Sequence, residues 1–204
     1  MEYSDIIFPG DNLQEFIPIA EKLNYRRLFV CSKDKSISSA GLHQHKSNNI
    51  NKSQIEIITS EFARVPQTTK KGFTVYSANH NMRLVMESGN IDVMYGAEEL
   101  EKRDRLHCRM GGLNHILCKL ARENNIIIAF SFSSLLSVYC IKRSIILGRM
   151  RQNIRLCRRY NNLICLASFA TKPYDMRSPL DLMAFGALIG MHPSEAKKAI
   201  FIDR

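Results

Sequence analysis

The chain has 204 residues, of which 45% are hydrophobic: enough for one domain with a substantial core, and too apolar for wholesale disorder. No apolar run approaches the ~18 to 20 residues of a membrane span, and the acidic start Met-Glu-Tyr-Ser-Asp lacks the apolar stretch of a secretory signal. A net charge of +10 with a pI near 9.5 calls for a polyanionic partner or an acidic surface.

In chain order, a short strand is expected at 5–8 and a helix at 13–23, with a second strand at 27–32. Residues 33–53 are polar, rich in Ser, Asn and His, and without hydrophobic period, which reads as a long loop or insertion. Strands follow at 55–59, 72–76 and 91–95, with helical patterns at 82–87 and 113–123. The runs 126–132 and 163–169 are continuously apolar, the pattern of strands buried on both faces of a helix-covered parallel sheet. Between them, 142–160 is an amphipathic helix: Ile146, Met150, Ile154 and Cys157 fall on one arc, Arg151, Arg155, Arg158 and Arg159 on the opposite one. Arg143 falls among the apolar positions and needs a partner or an exposed helix end. Ser178, Pro179 and Asp181 specify a helix start, and Gly190 its stop. Pro193-Ser194-Glu195 opens a short helix that runs into a strand-like segment at 199–202. Seven or eight strands alternating with helices fit a small α/β fold of TIM-like (β/α) barrel type, a single domain over residues 1–204 with the polar loop inserted.

The charge is unevenly spread. Residues 1–50 balance six basic against six acidic side chains, 51–123 carry eleven against nine, and 124–204 twelve against four. Residues 124–174 contain eight Lys or Arg and no Asp or Glu, which suits a surface that must not repel phosphate. Chemistry of other kinds is poorly supplied. There is no phosphate-binding Gly-Lys-Ser loop, nucleophile elbow or dinucleotide fingerprint. His43 and His45 form a His-x-His pair without neighbouring carboxylates except Asp34, while His80, His107, His115 and His192 are isolated. Gly111-Gly112 could admit a phosphate to backbone amides or simply loosen a loop. Cys31, Cys108, Cys118, Cys140, Cys157 and Cys165 lack close pairing, so buried thiols in a reducing, cytoplasmic setting are expected. No catalytic or metal-ligating constellation emerges.

Three motifs in order carry a resemblance: NHILCKLARENNIIIAFSFSSLL from Asn114, KRSIILGRMRQNIRLCRRYNNLICLAS from Lys142 and MRSPLDLMAFGALIGMHPSEAKKAI from Met176. Over about 87 residues these resemble protein component 3, the TIM-barrel subunit family of archaeal and eukaryotic ribonuclease P; residues 78–96 are similar too. The resemblance implies a barrel related to the PHP phosphoesterases but lacking their metal centre, and the loop Phe8-Pro9-Gly10-Asp11 offers no histidine pair. It further implies an RNA-binding scaffold that supports a catalytic RNA in removing 5′ leaders from precursor tRNA, with Mg2+ serving the RNA and no cofactor on the chain. Implied partners are ribonuclease P RNA, the ferredoxin-like protein component 2 (in a possible heterotetramer) and, indirectly, precursor tRNA, with no membrane. Positions matching activity-linked residues of the family are Arg83, His115, Arg159, Arg177 and Lys197, with Arg64 a further match and Cys108 and Arg109 competing for another; Met86 stands where a second basic residue is common. Arg177 has a competing role, pairing with Asp175 or Asp181. Rival readings are a metal-dependent phosphoesterase of related barrel type and a barrel enzyme whose basic face takes an anionic metabolite.

Overall fold

The computed structural model describes residues 2–32, 55–63 and 72–202; the expected loop at 33–53, with His43 and His45, and Arg64 lie outside the described residues. Seven strands form one parallel sheet in sequence order: β1 (Ser4–Ile7), β2 (Arg27–Ser32), β3 (Glu56–Ala63), β4 (Phe73–Ser77), β5 (Val93–Tyr95), β6 (Ile127–Ser131) and β7 (Ile164–Ala167). The helices are α1 (Leu13–Lys22), α2 (Met82–Ser88), α3 (His115–Glu123), α4 (Ser133–Leu136), α5 (Cys140–Arg159), α6 (Pro179–Leu188) and α7 (Pro193–Ala199). A parallel bridge between Ile7 and Ala170 brings the last strand back to the first, so the sheet is a nearly closed barrel. The Phe8 amide donates to Ala170 O and the Phe169 amide to Ile6 O, both at 2.9 Å.

Alternation along each strand explains why both faces are apolar. On β6, Ile127 and Ala129 point into the lumen with Ile6, Phe29, Val75, Val93, Cys165 and Ala167. Ile126, Ile128 and Phe130 point outward into the cluster beneath α2 to α7. Each such side chain contributes roughly 1.5–3 kcal/mol by leaving water. At the strands' C-terminal ends, Phe8, Phe62, Tyr95 and Phe169 fill the lumen, with Tyr95 stacked on Phe169 at 4.4 Å and Phe62 edge-on to Phe8 at 5.4 Å.

The seam also buries a carboxyl group. Asp5 accepts from the Ile6 amide (2.9 Å), the Ser168 amide (2.7 Å) and the Ser168 hydroxyl (2.5 Å), tying β1 to the end of β7. Full burial pushes its pKa up to about 7 against these three donors.

One expected strand is absent. Ala199 closes α7, and residues 200–202 run irregularly past the start of β1. The Ser4 amide and hydroxyl donate to Ile200 O, and the Ile202 amide donates to the Ser4 hydroxyl. β1 has β2 on one side, and beyond Ser4 its other side is taken by Phe169 and Ala170, which follow β7, so the segment meets β1 only at Ser4. Its apolar run is used differently, Ile200 entering the helix-side core and Ile202 the lumen. Of the six thiols expected to be buried, Cys108 and Cys140 are exposed because both sit where the chain turns outside the packed layers.

Candidate nucleic-acid interface

α5 is the longest described helix, about 30 Å by its 20 residues. Ile146, Met150, Ile154 and Cys157 are buried, as their spacing requires, and Arg151, Arg155, Arg158 and Arg159 are exposed. The helix ends where Asn161 adopts φ +53°, the left-handed conformation that releases the chain toward β7. Arg158 and Arg159 in its last turn face the negative end of the helix dipole. Arg143 finds its partner at the other end, donating to Leu135 O and Val138 O, both at 3.0 Å.

Two further residues on the buried face, Arg149 and Asn153, are polar and escape the sequence pattern because periodicity alone assigns that face to apolar side chains. Arg149 is only 2% exposed. Its Nε donates to Asp104 Oδ1 (2.7 Å), and its Nη1 to Glu98 O (2.9 Å) and Glu101 O (2.6 Å). Asp104 Oδ1 also accepts from the Met110 amide at 2.8 Å. Partial burial works to raise the Asp104 pKa, but the Met110 amide, the Arg149 contact and the charges of Arg149 and Arg109 outweigh it, leaving the carboxylate below its usual range. Asn153 donates to Gly111 O at 2.7 Å. Together α5 fastens the segment 97–112 along its whole length.

Gly111-Gly112 is a packing device. A Cβ at Gly111 would lie 2.5 Å from Asn153 Oδ1, and one at Gly112, where φ is +81°, 2.1 Å from the Ala97 carbonyl oxygen. Gly112→Ala is expected to lower the unfolding free energy by at least about 1–2 kcal/mol through strain and backbone collision, read as a drop in Tm.

Held in this way, Arg109 donates to Gly148 O (3.4 Å), while Gln152 donates to Arg109 O (3.3 Å). A groove of about 260 Å³ results, lined by Arg109, Arg151, Gln152, Arg155, Leu156 and Arg159. A second, of about 300 Å³, shares Arg109 and Arg151 and extends over Gly148 to Leu188 and Ile189. Arg155 and Arg159 have no hydrogen bond or ion pair among the described residues. Arg151 makes one contact, to Leu188 O at 3.3 Å. Planar guanidiniums gathered in an open groove can bind phosphate groups by charge and by paired hydrogen bonds.

The remaining expected residues are scattered around this groove and do not line it. Arg158 turns toward α7, where it grips Glu195 with Nε at 2.8 Å and Nη2 at 2.6 Å and also reaches Gly190 O. The Arg158 hydrogen bonds outweigh partial burial and hold the Glu195 pKa down, at about 2. Arg177 pairs with neither Asp175 nor Asp181 through its side chain: it donates to Tyr174 O and Met176 O and lies 5.1 Å over the Phe132 ring. Asp181 instead completes the capping box with Ser178. Arg83 is exposed and pairs with Glu87 one turn on (2.8 Å); His115 is the exposed first residue of α3, and Lys197 is exposed on α7.

Metal chemistry has little to work with. Among the described residues, no group of three or more His, Cys, Asp or Glu is placed to hold an ion. The strand ends where a metal-dependent barrel would carry ligands hold Phe8, Phe62, Tyr95 and Phe169. The described residues at these strand ends do not fit a PHP-type metal centre.

Comparison with known proteins agrees with this architecture. The family model described as RNase P subunit p30 matches residues 82–202, more than half of the chain. Ribonuclease P protein component 3 of Methanothermobacter thermautotrophicus is 28% identical over 134 residues, 64% of this chain and 52% of that protein. The protein of the same name from Methanosarcina barkeri is 31% identical over 123 residues, 58% and 52% respectively. The chain thus spans about half the length of the curated relatives it matches. Among solved structures, a chain of archaeal ribonuclease P with mature tRNA superposes with a TM-score of 0.75 at 18% identity, covering 95% of this chain and 86% of that one. An Aspergillus niger (A. niger) ochratoxinase gives 0.56 at 10% identity, with 98% and 69% covered. Both likenesses concern the barrel fold.

Proposed function

Because the chain belongs to the RNase P subunit p30 family, we propose that it is a protein subunit of ribonuclease P, a scaffold that binds and supports a catalytic RNA in removing 5′ leaders from precursor tRNA. The observation that carries the reading is a coincidence of place. The family match covers 82–202, and the same stretch supplies every arginine of the α5 groove. On this reading the RNA performs the cleavage with its own Mg2+, and the chain contributes positive charge at fixed positions. The ferredoxin-like component 2 is its protein partner, in a pair or heterotetramer, and the cytoplasm its place of work. The phosphoesterase alternative lacks a ligand set among the described residues.

Folded RNA is recognised mainly through its backbone and shape, so a rigid cationic groove needs no deep pocket. Each phosphate contact releases condensed counterions and steepens the salt dependence of binding, by ~0.7 to 0.9 in log–log slope. Changing Arg109, Arg151, Arg155 and Arg159 together to Ala is therefore expected to flatten the slope for ribonuclease P RNA by about 3 and to reduce support of precursor-tRNA cleavage. Arg158→Ala is expected to leave the slope unchanged, since that guanidinium is spent on Glu195. Wild-type protein that neither binds the RNA nor assists cleavage, with component 2 present, would overturn the assignment.

A further inference from the structure

The loop 102–109 stands beside the groove and is not explained by it. Arg105 and Cys108 form an isolated antiparallel bridge, with the Arg105 amide donating to Cys108 O at 3.0 Å, so the loop folds back on itself as a short finger turning at Leu106-His107. Its composition is one-sided: Lys102, Arg103, Arg105 and Arg109 are exposed, and so is His107. The side chains of Lys102, Arg103 and Arg105 make no hydrogen bond or ion pair among the described residues. Asp104, the one carboxylate in the finger, is turned inward onto Arg149 and the Met110 amide. At the tip Leu106 is 92% exposed.

These features answer to one another. An exposed mixed-charge loop would neutralise its own arginines; here the carboxylate is withdrawn to the base, and the charges left on the outer surface are all positive. Burying the Arg149 charge beneath the base is costly and fixes the finger at Glu98, Glu101 and Asp104. A surface loop without a rigid task gains nothing from such an anchor. A loop that must meet a polyanion in one geometry gains affinity by losing less freedom on binding. Arg109, at the finger's second arm, is also a wall of both α5 grooves, so the two surfaces are continuous.

We propose that the 102–109 finger is a second RNA-contacting element of this chain, with Arg103 and Arg105 on backbone phosphates and Leu106 against an unpaired base or ribose. The inference rests on the RNA-binding reading above and extends it to residues outside the groove. The test uses the full chain with component 2 and ribonuclease P RNA across a salt series. Arg103→Ala/Arg105→Ala is expected to flatten the log–log slope by about 1.4 to 1.8, two phosphate contacts' worth. Leu106→Ala is expected to weaken binding by about three- to tenfold with the slope unchanged, because an apolar contact releases no ions. Circular dichroism melts matching wild type would show that both variants are folded. If wild type binds RNA with a steep slope and both variants bind identically to it, the finger proposal is overturned and the scaffold reading stands. If both variants keep RNA binding and lose component 2 in co-purification, the finger is a protein-docking element and the proposal is likewise overturned. A wild type that ignores RNA removes both.

Discussion

Arg149→Ala is expected to lower the unfolding free energy by about 3–5 kcal/mol, the usual cost of breaking a buried charge pair from one side. The guanidinium is 2% exposed and satisfies three acceptors, two of them backbone carbonyls of the segment 97–112. Alanine strands those carbonyls, leaves Asp104 with the Met110 amide alone and opens a cavity under α5. Arg149→Met, which refills most of the volume without a charge, should recover part of the loss. Urea denaturation resolves the effect as a fall in midpoint at constant m. A loss within about 1 kcal/mol, the range of an exposed ion pair, would mean that the segment is held by Asn153 and the glycines and not by this arginine.

Stability should peak on the acid side of neutrality. Asp5 and Glu98 are both fully buried, and desolvation raises their pKa values to about 7 and about 8. A carboxyl group with a raised folded pKa binds its proton more tightly in the folded state. Its stabilisation is complete below the unfolded pKa near 4 and is lost as pH rises through the folded value. The window therefore runs from about pH 4 to 7 for Asp5 and to about 8 for Glu98, with a loss on the order of 2–4 kcal/mol for each. Asp104 and Glu195, with lowered values, act oppositely and lose their contribution as pH falls below the ordinary carboxylate range. Thermal melts from pH 4 to pH 9 should give a maximum near about pH 5. Asp5→Asn, which keeps the shape and an acceptor for the Ser168 and Ile6 amides, should make the protein more stable than wild type at pH 8 and little different at pH 5. A profile that instead rises through neutrality, in wild type and variant alike, would mean that Asp5 is charged at the seam.

The barrel was legible in the sequence because its strands are apolar on both faces. The runs at 126–132 and 163–169 need no alternation to be recognised, since one face meets the lumen and the other the helices. The α5 ladder was legible for the converse reason: Arg155 and Arg159 lie on the face that periodicity leaves to water. What escaped is long-range. Nothing near position 149 announces that its arginine is an internal anchor; only the return of 97–112 across α5 makes it one. Arg158 has the same spacing as its neighbours, and its capture by Glu195 depends on where α7 lands. Helix ends at Asn24, Asn125 and Asn161, all with positive φ, rest on asparagine, a residue that enters the left-handed region more readily than most but marks a helix end less sharply than glycine. The segment 199–202 has a strand's composition but no free neighbour to pair with.

The seam between Ile7 and Ala170 has a further consequence for how the protein is made. Its two sides are separated by almost the whole chain: the Asp5 carboxyl waits for Ser168, and the Phe8 amide for Ala170. During synthesis the first strand emerges early and stays unpaired along one flank until the last has followed. Throughout that interval the nascent sheet presents two raw edges, β1 and the newest strand, each able to recruit a stranger. Closure joins residues more than 160 positions apart in the chain, so a step of high loop entropy falls late in assembly. A nascent chain exposed only as far as residue 167 would therefore be an open, adhesive sheet, and one exposed a few residues further a barrel able to close.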